Sequence, residues 1–182
     1  MQIINTQIEE VKIIEPKVFG DDRGFFMETY RDSWFREHVA DVDFVQHNHS
    51  KSNKDILRGL HYQLKQPQGK LVRVISGSVL DVAVDLRKSS KTFGHHITVE
   101  LSAQNKKQLW VPPGFAHGFY VLSDNTEFVY QCTEYYAPED EFSLLWSDPT
   151  LAIDWKIADN DKLLLSEKDK NGLLFKETPY YE

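Results

Sequence analysis

Between positions 70 and 133 the chain is broken by a turn signal about every ten residues, and the runs between are the length of strands, not helices. In residues 78–86, Leu80, Val82, Val84 and Leu86 alternate with Asp81, Ala83 and Asp85. A period of two sends one set to each face of a strand. The run Lys70-Leu71-Val72-Arg73-Val74-Ile75 precedes it, and Ser76-Gly77-Ser78 reads as a tight hairpin joining the two. Alternation returns at 97–101. Further strands are expected at 108–111, 118–122 and 127–133, with turns at Pro112-Pro113-Gly114 and Ser123-Asp124-Asn125. Helical patterning is confined to 31–38 and 159–165. The predicted class is all-β, a sandwich or small barrel with a few short peripheral helices.

The chain has 182 residues, enough for one well-buried domain, and shows no repeat, low-complexity tract or linker. No apolar run approaches the roughly 20 residues of a membrane span. Met1-Gln2-Ile3-Ile4-Asn5 lacks the basic-then-apolar layout of a signal peptide. A lone cysteine, Cys132, cannot form an internal disulfide and fits a reducing cytoplasm. The net charge of -7 argues against general nucleic-acid binding, which needs a basic face. An anionic ligand would need its counter-charges gathered in one place.

One segment gathers them. Leu57-Arg58-Gly59-Leu60-His61-Tyr62-Gln63, with Lys70 seven residues beyond, puts an imidazole, a guanidinium and an amine on a short β-like stretch. The imidazole can accept a proton near neutral pH, and the cations can hold an anionic substrate or a developing enolate. Three more segments carry usable groups. Asp21-Asp22-Arg23-Gly24-Phe25-Phe26-Met27-Glu28 places an arginine and a glutamate around a glycine and aromatics; alone it reads as a solvated turn entering a strand. In Pro112-Pro113-Gly114-Phe115-Ala116-His117-Gly118-Phe119, His117, Phe119 and Val121 share a face, where a histidine is ordinarily a packed core residue. Tyr130 shares a face with Phe128 and Cys132, an ordinary packing position unless that face lines a cavity.

Metal ligation finds little support. Two histidines one residue apart on a strand reach one face, but the position two after His61 is Gln63, and His95-His96 diverge. His47-Asn48-His49 has the spacing and no nearby glutamate to complete it. Cys132 has no neighbouring base, and no helix-opening glycine loop for phosphate is present.

The ordered set Arg23-Gly24-x-Phe26-x-Glu28, Gln46-x-Asn48, residues 57–63, Gly69-Lys70, residues 113–119 and Ser166-x-Lys168-Asp169 resembles the dTDP-4-dehydrorhamnose 3,5-epimerase family across nearly the whole chain. Trp146-x-Asp148-Pro149 and Ile153-Asp154-Trp155 fit the same pattern. The resemblance implies a metal-independent, cofactor-free cupin-type β jelly roll. It would invert carbons 3 and 5 of dTDP-4-keto-6-deoxy-D-glucose on the route to dTDP-L-rhamnose. It implies His61 as base, Tyr130 as opposing acid, Asp169 orienting His61, and Lys70 beside the ketone oxygen. Arg23, Arg58 and Lys168 would meet the phosphates, with His117 and Phe119 near the sugar. Glu28, Gln46, His47, Asn48 and Glu141 would meet the nucleotide end, and Tyr136 and Phe26 would stack on the base. His47 stands where the family usually has an acidic residue. A homodimer with exchanged N-terminal strands is implied, without nucleic-acid or membrane partners. A single-carbon epimerase and a non-catalytic sugar-nucleotide binder are the alternatives. Arg58 and His61 have opposite strand parity, so both can serve one cavity only if the chain bends or bulges near Gly59.

Overall fold

The computed structural model describes residues 1–182. In chain order the strands are β1 (Gln2–Asn5), β2 (Lys12–Glu15), β3 (Val18–Asp21) and β4 (Gly24–Met27), followed by helix α1 (Asp32–His38). Then come β5 (Gln46–Ser52), β6 (Leu57–Gln63), β7 (Lys70–Ser76), β8 (Ser78–Asp85) and β9 (His96–Ser102). The last are β10 (Gln108–Val111), β11 (Phe115–Val121), β12 (Thr126–Cys132), β13 (Glu141–Ser143) and the one-turn helix α2 (Glu167–Lys170). A six-stranded antiparallel sheet, ordered β1-β2-β10-β7-β12-β5, faces a five-stranded one, ordered β13-β6-β11-β8-β9. A separate two-stranded ribbon, β3–β4, stands apart from both. This is the expected all-β sandwich. The 159–165 helix shrinks to a single 3-10 turn at Asn160–Lys162, and no helix is long and apolar enough to cross a membrane.

The hairpin expected at Ser76-Gly77-Ser78 does not form. Strand β7 lies between β10 and β12, and β8 between β11 and β9, so this turn carries the chain from one sheet to the other. Gly77 takes φ +74° there, and a Cβ would strike the Thr126 side chain. Turn residues show that a chain reverses; they do not show which strand it then pairs with.

The core occupies three levels. Between the sheets pack Val72, Val74, Phe115, Phe119, Val121 and Phe128, with the Phe119 and Phe128 rings stacked at 4.2 Å, a contact worth about 1 kcal/mol beyond its area. Behind the five-stranded sheet, Leu80, Val82, Val84 and Leu86 meet Leu144, Leu151, Trp155 and Phe175 of the C-terminal segment. Isolated bridges Ile56 to Leu164 and Leu144 to Leu173 tie that segment down. Outside the six-stranded sheet, α1 covers Ile14, Leu71 and Trp110 with Phe35. Strand β8 is therefore buried on both faces, and its aspartates point into the molecule, not into water.

Strands β6 and β11 approach most closely at two glycines. A Cβ on Gly59 would sit 2.5 Å from Gly118 Cα and 2.8 Å from the His117 carbonyl oxygen. Gly59 has φ +117°, the Gly59–Leu60 peptide is cis, and the register shifts between His117 and Phe119. The expected irregularity at Gly59 is present. Gly59→Ala would combine a left-handed φ with a backbone collision, so a loss of at least ~2 kcal/mol is expected. Chemical denaturation checks this, and an unchanged midpoint would mean that β6 and β11 separate freely.

Candidate active site

A cavity of about 230 Å³ opens between the two sheets. Strand β6 contributes Arg58 and His61, β11 contributes His117 and Phe119, β12 contributes Phe128 and Tyr130, and β7 contributes Lys70. Ser50 on β5 and the pair Ser166 and Asp169 at α2 complete the wall. The parity problem is resolved at Gly59: Arg58, exposed in this chain, and His61 line the same space, and the Arg58 Nε–H donates to Ser52 Oγ at 3.2 Å.

His61 is oriented from 108 residues away. Its Nε2–H donates to Asp169 Oδ1 at 2.6 Å, leaving Nδ1 as the free basic nitrogen. Asp169 is itself fixed: Ser166 Oγ donates to its other oxygen at 2.6 Å and the Gly59 N–H donates to Oδ1 at 3.2 Å. Burial raises this carboxyl, but the hydrogen bonds from His61, Ser166 and Gly59 outweigh it and hold it below the usual carboxylate range. Ser166 also caps α2 by accepting from the Asp169 N–H at 3.2 Å, so the turn that carries Asp169 is locked at its start.

His117 stands directly across the β6–β11 ladder from His61. Its Nε2–H donates to Asp81 Oδ1 at 2.9 Å, and the second Asp81 oxygen is buried without a partner. Burial pushes the Asp81 carboxyl up, against the pull of His117 and Lys70. Asp81 was not among the residues singled out from sequence. Its alternation with leucine and valine suggests a solvent face, and only the C-terminal cover makes both faces of β8 interior. The Lys70 side chain makes neither an ion pair nor a hydrogen bond, while its backbone pairs with Val111 and Cys132 in the six-stranded sheet. Burial lowers its pKa, opposed by Cys132, Glu141 and Asp81. Tyr130 moves the opposite way: burial and Cys132 raise its phenol, against Asn48 and Arg58.

A second group sits at the mouth. Glu141 pairs with Lys168, accepts from the Tyr136 hydroxyl at 2.8 Å, and holds Oε1 4.0 Å from His61 Nδ1. Burial raises Glu141, but Lys168 and Tyr136 outweigh it and the net shift is downward. Gln46 accepts from the Tyr136 N–H at 2.9 Å and donates to Asn48 at 3.1 Å. His47 faces the opposite side of β5, beside Gln131, so the structure separates it from Gln46 and Asn48. His49 shares that outer face and pairs with Glu127, and nowhere do three His, Cys, Asp or Glu side chains gather as a metal-binding group. Arg23, Phe26 and Glu28 lie on or beside the β3–β4 ribbon, outside the cavity wall. Arg23 pairs with Asp21, Phe26 is 71% exposed, and Glu28 pairs with Arg31 at 2.9 Å.

A base and a phenol on facing sheets, with an unpaired amine beside them, are suited to moving protons next to a carbonyl. The model of the dTDP-4-dehydrorhamnose 3,5-epimerase family matches residues 5–177. The enzyme of that name from Shigella flexneri is 55% identical over all of this chain and 99% of its own length. The one from Neisseria gonorrhoeae is 57% identical over 94% of this chain, which spans about half (52%) of that relative's length. A crystal structure of a dTDP-6-deoxy-D-glucose-3,5-epimerase from Legionella pneumophila Philadelphia 1, in complex with dTDP-4-keto-L-rhamnose, superposes with a TM-score of 0.93 at 54% identity. It covers 96% of this chain and 93% of its own. The chain belongs to the dTDP-4-dehydrorhamnose 3,5-epimerase family and is a 3,5-epimerase of dTDP-rhamnose biosynthesis.

Proposed function

We propose that one catalytic set, His61, Tyr130 and Lys70, inverts both carbons of dTDP-4-keto-6-deoxy-D-glucose within the single domain formed by residues 1–182. The ketone at carbon 4 acidifies the hydrogens on carbons 3 and 5. His61 Nδ1 removes one of them, and the electron pair passes to the ketone oxygen as an enolate. Lys70, buried in the cavity wall, stabilises that charge, an effect of the order of 10²–10³ in rate. Tyr130 then returns a proton to the opposite face of the same carbon. One observation carries this reading: His61 stands on the five-stranded sheet and Tyr130 on the six-stranded sheet, and both line one cavity with Lys70. The Asp169 contact supports it, because it fixes the tautomer and offsets the charge of the imidazolium.

The binding roles follow from position. Arg58 and Lys168 meet the diphosphate at the cavity mouth, and His117, backed by Asp81, lies with Phe119 against the sugar. Gln46, Asn48 and the half-exposed Tyr136 ring hold the base. Arg23, Phe26 and Glu28 serve a second copy's site. The β3–β4 ribbon leaves Val18, Phe19, Phe25 and Phe26 exposed, a concentration of apolar surface that a homodimer with exchanged ribbons would cover. The free thiol of buried Cys132 fits a cytoplasmic setting.

Incubating the protein with dTDP-4-keto-6-deoxy-D-glucose in heavy water is expected to place deuterium at carbons 3 and 5. His61→Ala should slow that exchange at least ~100-fold with dTDP affinity within a few-fold of wild type. A collapse of affinity would make His61 a binding residue. The pH profile tests Lys70. Its pKa lies below the ordinary lysine value, mainly through burial, so its charge disappears as pH rises sooner than for an exposed lysine. Tyr130, shifted upward, keeps its proton over that range. The alkaline limb of kcat/KM should therefore fall below the ordinary lysine pKa and move upward in Lys70→Arg. An unmoved limb would assign it to another group.

A further inference from the structure

The double reaction poses a problem that the catalytic set does not solve by itself. In each inversion a C–H bond breaks, its proton goes to His61 Nδ1, and a new C–H bond forms with the proton from Tyr130. Afterwards His61 is an imidazolium and Tyr130 a phenolate, so neither is ready for the second carbon. Each must exchange its proton with solvent before the second carbon reacts, and the His61 side chain is only 26% exposed. We propose that Glu141 is the proton-relay residue that resets His61 between inversions, taking the proton from Nδ1 and releasing it to solvent through the Tyr136 hydroxyl, while water at the cavity mouth reprotonates Tyr130. This rests on the assignment of His61 as the base.

The surroundings of His61 single out Glu141. From α2, Asp169 is buried and already holds Nε2, with its oxygens engaged by Ser166 and Gly59. From β11, His117 is turned to Asp81 of β8. Arg58 on the same strand and Lys70 on β7 are cations and cannot take a proton from an imidazolium. Tyr130 on β12 works from the opposite wall. Glu141, on β13, puts Oε1 4.0 Å from Nδ1, the nitrogen left open by Asp169. Its Oε2 accepts from the Tyr136 hydroxyl at 2.8 Å, and that exposed side chain can take the carboxyl proton on its oxygen once its own O–H turns to water; the Lys168 ammonium, which has no acceptor, only holds the carboxylate in place. The carboxylate thus spans base and surface, and its low exposure keeps it in place.

The test separates the two inversions. In single-turnover reactions with dTDP-4-keto-6-deoxy-D-glucose, quenched and reduced for analysis at each carbon, Glu141→Gln keeps a hydrogen-bond acceptor but cannot carry a proton. It should lower the ratio of second to first inversion rate at least ~10-fold, so that singly inverted sugar accumulates, whereas Glu141→Asp should keep the ratio within about 3-fold of wild type. Added formate should restore the ratio in Glu141→Ala. Equal slowing of both inversions, or a raised KM at an unchanged ratio, would overturn the relay and leave Glu141 a binding residue. Absence of any deuterium exchange by the wild-type protein would instead overturn the assignment of the base, so the two failures are distinct. If Glu141→Gln does not fold, the Glu141→Asp ratio and the formate response decide.

Discussion

The contact of Gly59 with Gly118 is the constraint on which the site depends. Two backbones meet where no Cβ fits, and the strand bends instead of continuing its alternation. That bend brings Arg58 to the cavity that His61 already faces, a combination that a regular strand forbids. It also aims the Gly59 N–H at Asp169, the carboxylate that orients His61. One local irregularity thereby sets cation, base and the partner of the base together. The same crossing places His117 across from His61, so both imidazoles, each held at Nε2 by its own aspartate, meet one small volume.

A net charge of -7 is compatible with an anionic substrate because the charges are not spread evenly. Many acidic side chains are spent on structure: Asp85 is held by Arg87, Ser90 and Thr92, and Asp148 by backbone N–H groups of Thr150, Leu151 and Phe175. Around the cavity the balance differs. Lys70 has no carboxylate in contact, and Arg58 bonds only to a hydroxyl. Their positive field falls on whatever enters, and burial of Lys70 both strengthens that field and lowers the pH at which it is lost.

Much of this was legible in the sequence, for physical reasons that can be named. Strands with one face in the core, such as β9 and β12, announce themselves by alternation. Residues 57–63 and 113–119 bring unusual chemistry to such strands, and Gly59 could be picked out because parity demanded a bend there. What stayed hidden depends on elements far apart in the chain. The partner of β7 is set by sheet packing, so Gly77 looked like a hairpin and is a corner. Asp81 looked solvent-facing because nothing local reveals that residues 144–175 cover the leucine and valine face of β8, which leaves the Asp81 face, with Val79 and Ala83, to look between the sheets. The short strands β1 to β4 and β13 carry too few residues for a period to emerge. Glu141 is expected at the nucleotide end by the resemblance alone, and its place beside His61 has no sequence signal, since an isolated glutamate before a phenylalanine has no spacing to read.

The anchoring of Asp169 carries a consequence for how the molecule fails. Lys168 and Asp169 sit on a single peripheral turn, closed on itself by one serine cap and two backbone N–H bonds and held to the sandwich by the contacts of Asp169 with His61 and Gly59 and of Lys168 with Glu141. Such a segment opens at a lower free energy than strands packed between two sheets. When it lifts, the imidazole loses its partner and the mouth loses a cation in the same event, while the sandwich behind them stays folded. Heat would thus silence the molecule before it melts, and the temperature at which turnover stops would report on one helical turn and not on the cooperative unfolding of the whole.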